Sequence, residues 1–169
     1  HDIAVMSREL LKNHPDITRF TTIWMDTIRG GEFGLSNTNK MVRFYNGCTG
    51  LKTGFTRGAG YCLSASAERE GLQLIAVVMG AQTSQERFAA CKGLLDMGFA
   101  GFALVSPEAA DAQVPVTLGT QAPCQPVLGE GSALLLEKAR AGALAQRIEM
   151  AESLTAPVAA GDVLGTLTV

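Results

Sequence analysis

Between Gly50 and Thr56 the chain reads Gly-Leu-Lys-Thr-Gly-Phe-Thr, bringing an ammonium, hydroxyls and glycines into one short stretch. Side chains alternate along an extended strand, so Lys52 and Gly54 share one face and Thr53 takes the other. An ammonium at position 52 holds a substrate carboxylate and raises the local positive potential. That potential favours deprotonation of a neighbouring serine or lysine. The hydroxyls of Thr53 and Thr56 offer hydrogen bonds to a carboxylate or carbonyl. Gly54, without a Cβ, lets a peptide backbone come close and pair with the strand. A backbone N–H just past it serves as one arm of an oxyanion hole. This is the chemistry of acyl transfer at a peptide carboxyl.

A Lys-Thr-Gly tripeptide works in such enzymes alongside a Ser-x-x-Lys and a Ser-x-Asn element. Neither is present: Ser7, Ser36, Ser64, Ser66, Ser84, Ser106, Ser132 and Ser153 all lack a lysine three positions on. The stretch therefore reads as one wall of a site whose nucleophile lies elsewhere. Taken alone, the tripeptide is equally well an exposed lysine, a strand threonine and a turn glycine.

Other candidates read as structural. His14, before Pro15 at a helix end, suits a capping or surface role better than a base. Trp24 sits in a weakly alternating segment and reads as packing. Cys48 lies near the motif but has no His or Lys activator in sequence, and Arg57 is a solvated residue or a guard at the cleft mouth. Asp111, Glu130 and Glu137 form no acid–base pair. The cysteines Cys48, Cys62, Cys91 and Cys124 have no metal-binding or redox spacing, so no metal or cofactor is expected.

The elements that must position the motif follow from periodicity. Ile3, Met6 and Leu10 recur at helical spacing, and Asn13-His14-Pro15 ends that helix. Phe20 to Ile28, the Arg29-Gly30-Gly31-Glu32 turn and a return toward Leu35 read as strand, turn, strand. Leu51–Thr56, Tyr61–Ala67 and Leu72–Met79 read as three consecutive antiparallel strands, the last apolar enough to be covered on both faces. Thr83-Ser84-Gln85-Glu86 is a capping box. Phe88, Cys91 and Leu95 follow at helical spacing, and Gly98 marks the stop.

After Val105-Ser106-Pro107 charge thins and Pro and Gly recur between short apolar stretches, the texture of a small β module. This divides the chain into 1–105 and 106–169. Ser132 to Met150 is rich in strong helix formers, yet Gly142 and its short halves also allow a hairpin. Hydrophobic residues make up 47% and charged residues 18%, a globular composition. Net charge is −2, which gives no sign of nucleic acid as partner. No apolar run reaches the roughly 18 residues of a membrane span, and His1 opens into a helix pattern rather than a leader.

Asp2-Ile3-Ala4-Val5-Met6-Ser7-Arg8-Glu9-Leu10, Asn37-Thr38-Asn39-Lys40, Gly50 to Thr56, Ala59 to Leu63 and Leu74 to Gly80 resemble the D-alanyl-D-alanine carboxypeptidases. These are low-molecular-weight penicillin-binding proteins of peptidase family S11. Leu154 to Val158 with Gly161 to Gly165 is similar to that family's C-terminal β-domain. The resemblance implies an α+β fold: part of a penicillin-binding, β-lactamase-like transpeptidase domain, with its antiparallel sheet packed by helices, then a small all-β sandwich. It implies a serine-type carboxypeptidase that removes the terminal D-Ala from peptidoglycan stem peptides through an acyl-enzyme, is inhibited by β-lactams and works in the cell envelope. Lys52 then engages the substrate carboxylate, Thr53 contacts the substrate, and Gly54 pairs with the peptide. The Phe55 N–H completes the oxyanion hole, and Thr56 is a further carboxylate ligand. Some members carry a substrate-contacting arginine near Asn37–Asn39, where this chain has Thr38 or Lys40. The resemblance also implies strand, turn, strand for Ser132 to Met150. It makes the chain the C-terminal part of the enzyme, inactive without the serine-bearing segment.

Two other readings remain open. A β-lactamase shares the motif but leaves the trailing β module unexplained. A lipoyl- or biotinyl-type binding module suits Ala156 to Gly165, but Lys138 sits amid Leu and Ala rather than at a hairpin tip.

Overall fold

The computed structural model describes residues 1–120, 123–129 and 131–169; the Glu130 candidate falls outside them. The chain forms two compact units, His1–Gly101 and Phe102–Val169.

The first unit opens with helix α1 (Asp2–Asn13). Pro15–Ile17 forms a 3-10 turn, and Thr18–Thr21 the short helix α2. The strand expected to begin at Phe20 begins only at Met25, because this helical turn takes up the preceding residues. Strands β1 (Met25–Ile28) and β2 (Phe33–Ser36) pair as a hairpin around Arg29–Gly31. The short helix α3 (Met41–Phe44) leads into the central sheet. Its strands are β3 (Cys48–Thr56), β4 (Gly60–Arg69) and β5 (Leu72–Ala81), antiparallel in the order β3-β4-β5. The three-strand expectation holds, with the lysine-bearing strand at the edge of the sheet.

Helix α4 (Ser84–Gly101) packs on this sheet. Its N-terminus is the expected capping box: Thr83 Oγ1 accepts the Glu86 N–H at 3.1 Å, and Glu86 Oε2 accepts the Thr83 N–H at 3.3 Å. The helix does not stop at Gly98. A Cβ there would lie 2.6 Å from Leu74 Cδ1, so the missing side chain sets the helix–sheet approach rather than the helix end. Leu63, Ala65, Ala67, Ala76, Cys91, Leu95 and Phe99 form the core between α4 and the sheet, joined by Met41 and Tyr45 from the α3 region.

On α1 the residues buried are Ser7 and Leu11. The expected stripe of Ile3, Met6 and Leu10 is exposed, Met6 to 64%. The seam between α1 and the sheet is polar: Ser7 Oγ and Ser64 Oγ are 2.7 Å apart and buried.

In the second unit, β6 (Phe102–Val105) pairs with β8 (Leu134–Glu137). The pairing of β6 puts the change of unit at Gly101/Phe102, ahead of the change in composition near 106. Strand β7 (Val116–Thr117) pairs in parallel with β10 (Leu154–Thr155), and β9 (Arg147–Met150) pairs antiparallel with β11 (Gly165–Thr168). Ser132 to Met150 contains β8, the short helix α5 (Lys138–Ala141) and β9. It is strand, turn, strand in outline, yet its strands pair with β6 and β11 rather than with each other. Tertiary pairing overrides the helix propensity of the segment. Among the described residues no helix is long and apolar enough to cross a membrane.

Candidate active site

Strand β3 is an edge, and Gly50 fixes how it enters. Gly50 has φ +140, and a Cβ there would meet Thr21 Cβ at 2.6 Å. Thr21 also donates its hydroxyl to the Thr49 carbonyl, which ties α2 to the start of the motif. The first glycine of the stretch is thus a close-approach glycine, required for packing.

Beyond it the alternation is as expected. Lys52 is exposed and lies in register with Ser64, on the face that carries Ser7 and Ser64. Its ammonium donates to the Thr53 carbonyl. Thr53 is buried and lies opposite Leu63, with its hydroxyl 2.7 Å from that of Thr38. Gly54 is exposed, and a Cβ there would meet nothing within 4 Å. Phe55 is exposed, its ring stacked at a tilt on Tyr61 with centroids 4.3 Å apart. Thr56 Oγ1 accepts the Ala59 N–H at 3.0 Å and caps the turn into β4.

No sequence motif marks Arg87 on α4. It is 7% exposed and donates from one guanidinium nitrogen to the carbonyls of Gly54 and Cys62, at 3.1 and 3.3 Å. Gly54 and Cys62 face one another in register. Two carbonyls that share one donor must both point into the space between the strands. Backbone groups alternate sides along a strand, so the Thr53 carbonyl and the Phe55 N–H point the other way, to the free edge. The sequence did carry a signal. Arg87, Cys91, Leu95 and Phe99 recur every four residues, which puts a charge in the buried stripe of α4.

The remaining candidates lie outside this cluster or keep structural roles. His14 is exposed at the end of α1, where its N–H caps the Leu10 carbonyl at 2.9 Å. Trp24 packs edge-on against Phe44 at 5.9 Å. Arg57 is exposed in the β3–β4 turn, and Glu137 pairs with Arg140 at 3.4 Å. Cys48 is half-buried, and burial pushes its thiol up. The described residues contain no cluster of metal-ligating side chains.

An edge strand carrying Lys-Thr-Gly, backed by a long helix on an antiparallel sheet, defines a penicillin-binding type of α+β fold. Residues 1–83 match the family model described as D-alanyl-D-alanine carboxypeptidase. The chain is 37% identical to the D-alanyl-D-alanine carboxypeptidase DacF of Bacillus subtilis over 99% of its own length and 44% of the relative's. It superposes on the peptidoglycan synthesis regulatory factor PBP3 of Streptococcus pneumoniae with a TM-score of 0.67. That match has 27% identity and covers 97% of this chain and 48% of the other. Penicillin-binding protein D2 of Listeria monocytogenes, solved in a cefotaxime-bound form, matches with a TM-score of 0.52 at 38% identity, over 55% of this chain and 37% of that one. This chain belongs to the D-alanyl-D-alanine carboxypeptidase family, and it spans less than half the length of these relatives.

Proposed function

We propose that residues 1–169 supply the substrate-holding wall of a serine-type D-Ala-D-Ala carboxypeptidase that trims peptidoglycan stem peptides in the cell envelope. The observation that carries this reading is the free edge of β3. There an exposed ammonium, an open glycine and an outward Phe55 N–H line up. A peptide laid along that edge adds a strand to the sheet. Lys52 would leave the Thr53 carbonyl for the terminal carboxylate, and the freed carbonyl would accept an N–H from the incoming peptide. Gly54 would leave room for the D-Ala methyl. The Phe55 N–H would stabilise the developing oxyanion. Thr38, which with Lys40 lies near the position where the family resemblance implies an arginine in some members, pairs its hydroxyl with that of Thr53 and would be the polar contact in its place. Thr56 would serve as a further carboxylate ligand once its hydroxyl turns from Ala59.

The nucleophilic serine and its lysine base would come from a Ser-x-x-Lys segment outside residues 1–169. The exposed apolar residues Ile3, Met6 and Leu10 on α1, with Phe33 and Leu35 on β2, are surface on which such a segment would pack. The serine is acylated with release of D-Ala, and water then hydrolyses the acyl-enzyme.

The test is penicillin labelling and D-Ala release from a D-Ala-D-Ala peptide. A protein joining these residues to the serine-bearing segment is expected to do both, and residues 1–169 alone to do neither. Turnover by residues 1–169 alone, or none by the joined protein, would overturn the reading. Rapid deacylation of the penicilloyl adduct would favour a β-lactamase instead.

A further inference from the structure

We infer that Arg87 is a positioning residue for the oxyanion hole: it holds the Gly54–Phe55 peptide in the orientation that aims the Phe55 N–H at the substrate. The inference rests on the functional reading above. The Gly54 carbonyl and the Phe55 N–H belong to one trans peptide, and a trans peptide is planar with these two groups pointing in opposite directions. A guanidinium that grips the carbonyl from the β4 side therefore turns the N–H to the free edge. The β3–β4 ladder already pairs Gly54 with Cys62, and Arg87 adds a second hold at a residue type with the widest backbone freedom, where no neighbour lies within 4 Å of the place a side chain would take. A flip would point the carbonyl at the substrate and close the hole.

The surroundings of Arg87 suit a clamp better than a stability element. One nitrogen spans the Gly54 and Cys62 carbonyls, and the other takes Ser84 Oγ at 3.3 Å. The guanidinium lies over the rings of Tyr61 and Phe88, at 5.3 and 4.8 Å. Its Nε is buried with no partner, and none of the ion pairs among the described residues involves Arg87. A buried charge left without a counter-charge is costly to stability, so its placement answers to something else. Tyr61, under the guanidinium, is also the ring on which Phe55 stacks. Arg87 thus reaches both ends of the hinge: the carbonyl directly, and the Phe55 side chain through Tyr61.

The test is saturation kinetics of β-lactam acylation in the protein that carries the serine. In Arg87→Met the acylation rate constant is expected to fall about 10²-fold, the order seen when one oxyanion donor is lost. The pre-acylation binding constant should stay within about threefold. Affinity for a peptide boronate, which mimics the tetrahedral adduct, should fall with the rate. Affinity for a product-like peptide carboxylate should hold. Arg87→Lys keeps the charge but not the fork that spans two carbonyls, and should lose roughly tenfold in rate. It decides alone if Arg87→Met does not fold. An unchanged rate constant in the folded variants would overturn the inference. So would weakened carboxylate binding at a normal rate, which would make Arg87 a direct substrate contact. A wild-type protein that is never acylated would overturn the functional reading instead.

Discussion

The two faces of the β3–β5 sheet are built from different chemistry. The face under α4 is apolar and closely packed: Leu63, Ala65 and Ala67 meet Cys91, Leu95 and Phe99, and Gly98 lets Leu74 in. The face under α1 is lined with hydroxyls: Ser64 meets Ser7, Ser66 meets Thr49 at 2.7 Å, and Lys52 stands in register with Ser64. The apolar face supplies most of the burial that holds the strands. The hydroxyl face is buried at Ser7, Ser64 and Ser66 as well, but with polar groups, and it keeps them beside the motif. Arg87 breaks the division, because it rises from the apolar side to grip the motif's backbone.

The sharpest test of this contrast is to strike each face and read both activity and stability. Lys52→Ala should lower kcat/KM of the complete enzyme by on the order of 10³-fold, since a positioned charge at the reacting centre is lost. Its thermal midpoint should barely move, because Lys52 is exposed. Leu95→Ala on the opposite face should do the reverse, costing roughly 2–5 kcal/mol in urea unfolding as a cavity opens in the core. A folded Leu95→Ala protein that keeps wild-type stability would break the comparison.

The hydroxyl seam gives smaller effects. Ser7→Ala or Ser64→Ala alone strands a buried hydroxyl and should cost about 1–2 kcal/mol. The double replacement should cost less than the sum, read as a coupling energy in a double-mutant cycle. Strict additivity would mean the 2.7 Å contact carries nothing.

The smallest effect is a pH dependence confined to the apolar side. Burial, and then the hydrogen bond given to Asp96 at 2.8 Å, push the Tyr45 hydroxyl from 10.0 up to about 12. Burial likewise pushes the Cys91 thiol from 9.0 up to about 11. Both raised values favour the neutral forms in the fold. Their contribution is complete below the unfolded values and is lost as pH rises through the folded ones. The urea midpoint should therefore decline from about pH 9 to 12, and Tyr45→Phe should flatten the part above pH 10. A midpoint level across that range would show that neither group is protected.

The capping box at Thr83 and the three strands were legible because each rests on local pattern. Four residues define the cap, and apolar runs punctuated by Gly58–Gly60 and Gly71 define the strands. The buried face of α1 was not legible. Ile3, Met6 and Leu10 outrank Ser7 in hydrophobicity, but the surface waiting on β4 is Ser64, and a serine fits it. Gly98 read as a stop and proved to be a contact, because that depends on Leu74, distant in sequence. Residues 132–150 carried helix propensity, but their partners were β6 and β11, which no local preference encodes.

The sequence by itself determined that Lys52, Thr53, Gly54 and Phe55 lie on one strand and alternate across it, because a strand's period is a property of the backbone alone. It also carried the family, through matched stretches in matched order. Only the tertiary structure decided which way the Gly54–Phe55 peptide points. There β3 pairs with β4 and the Gly54 carbonyl accepts from Arg87, thirty-three residues further on, and a hydrogen bond across that separation exists only once α4 has docked on the sheet.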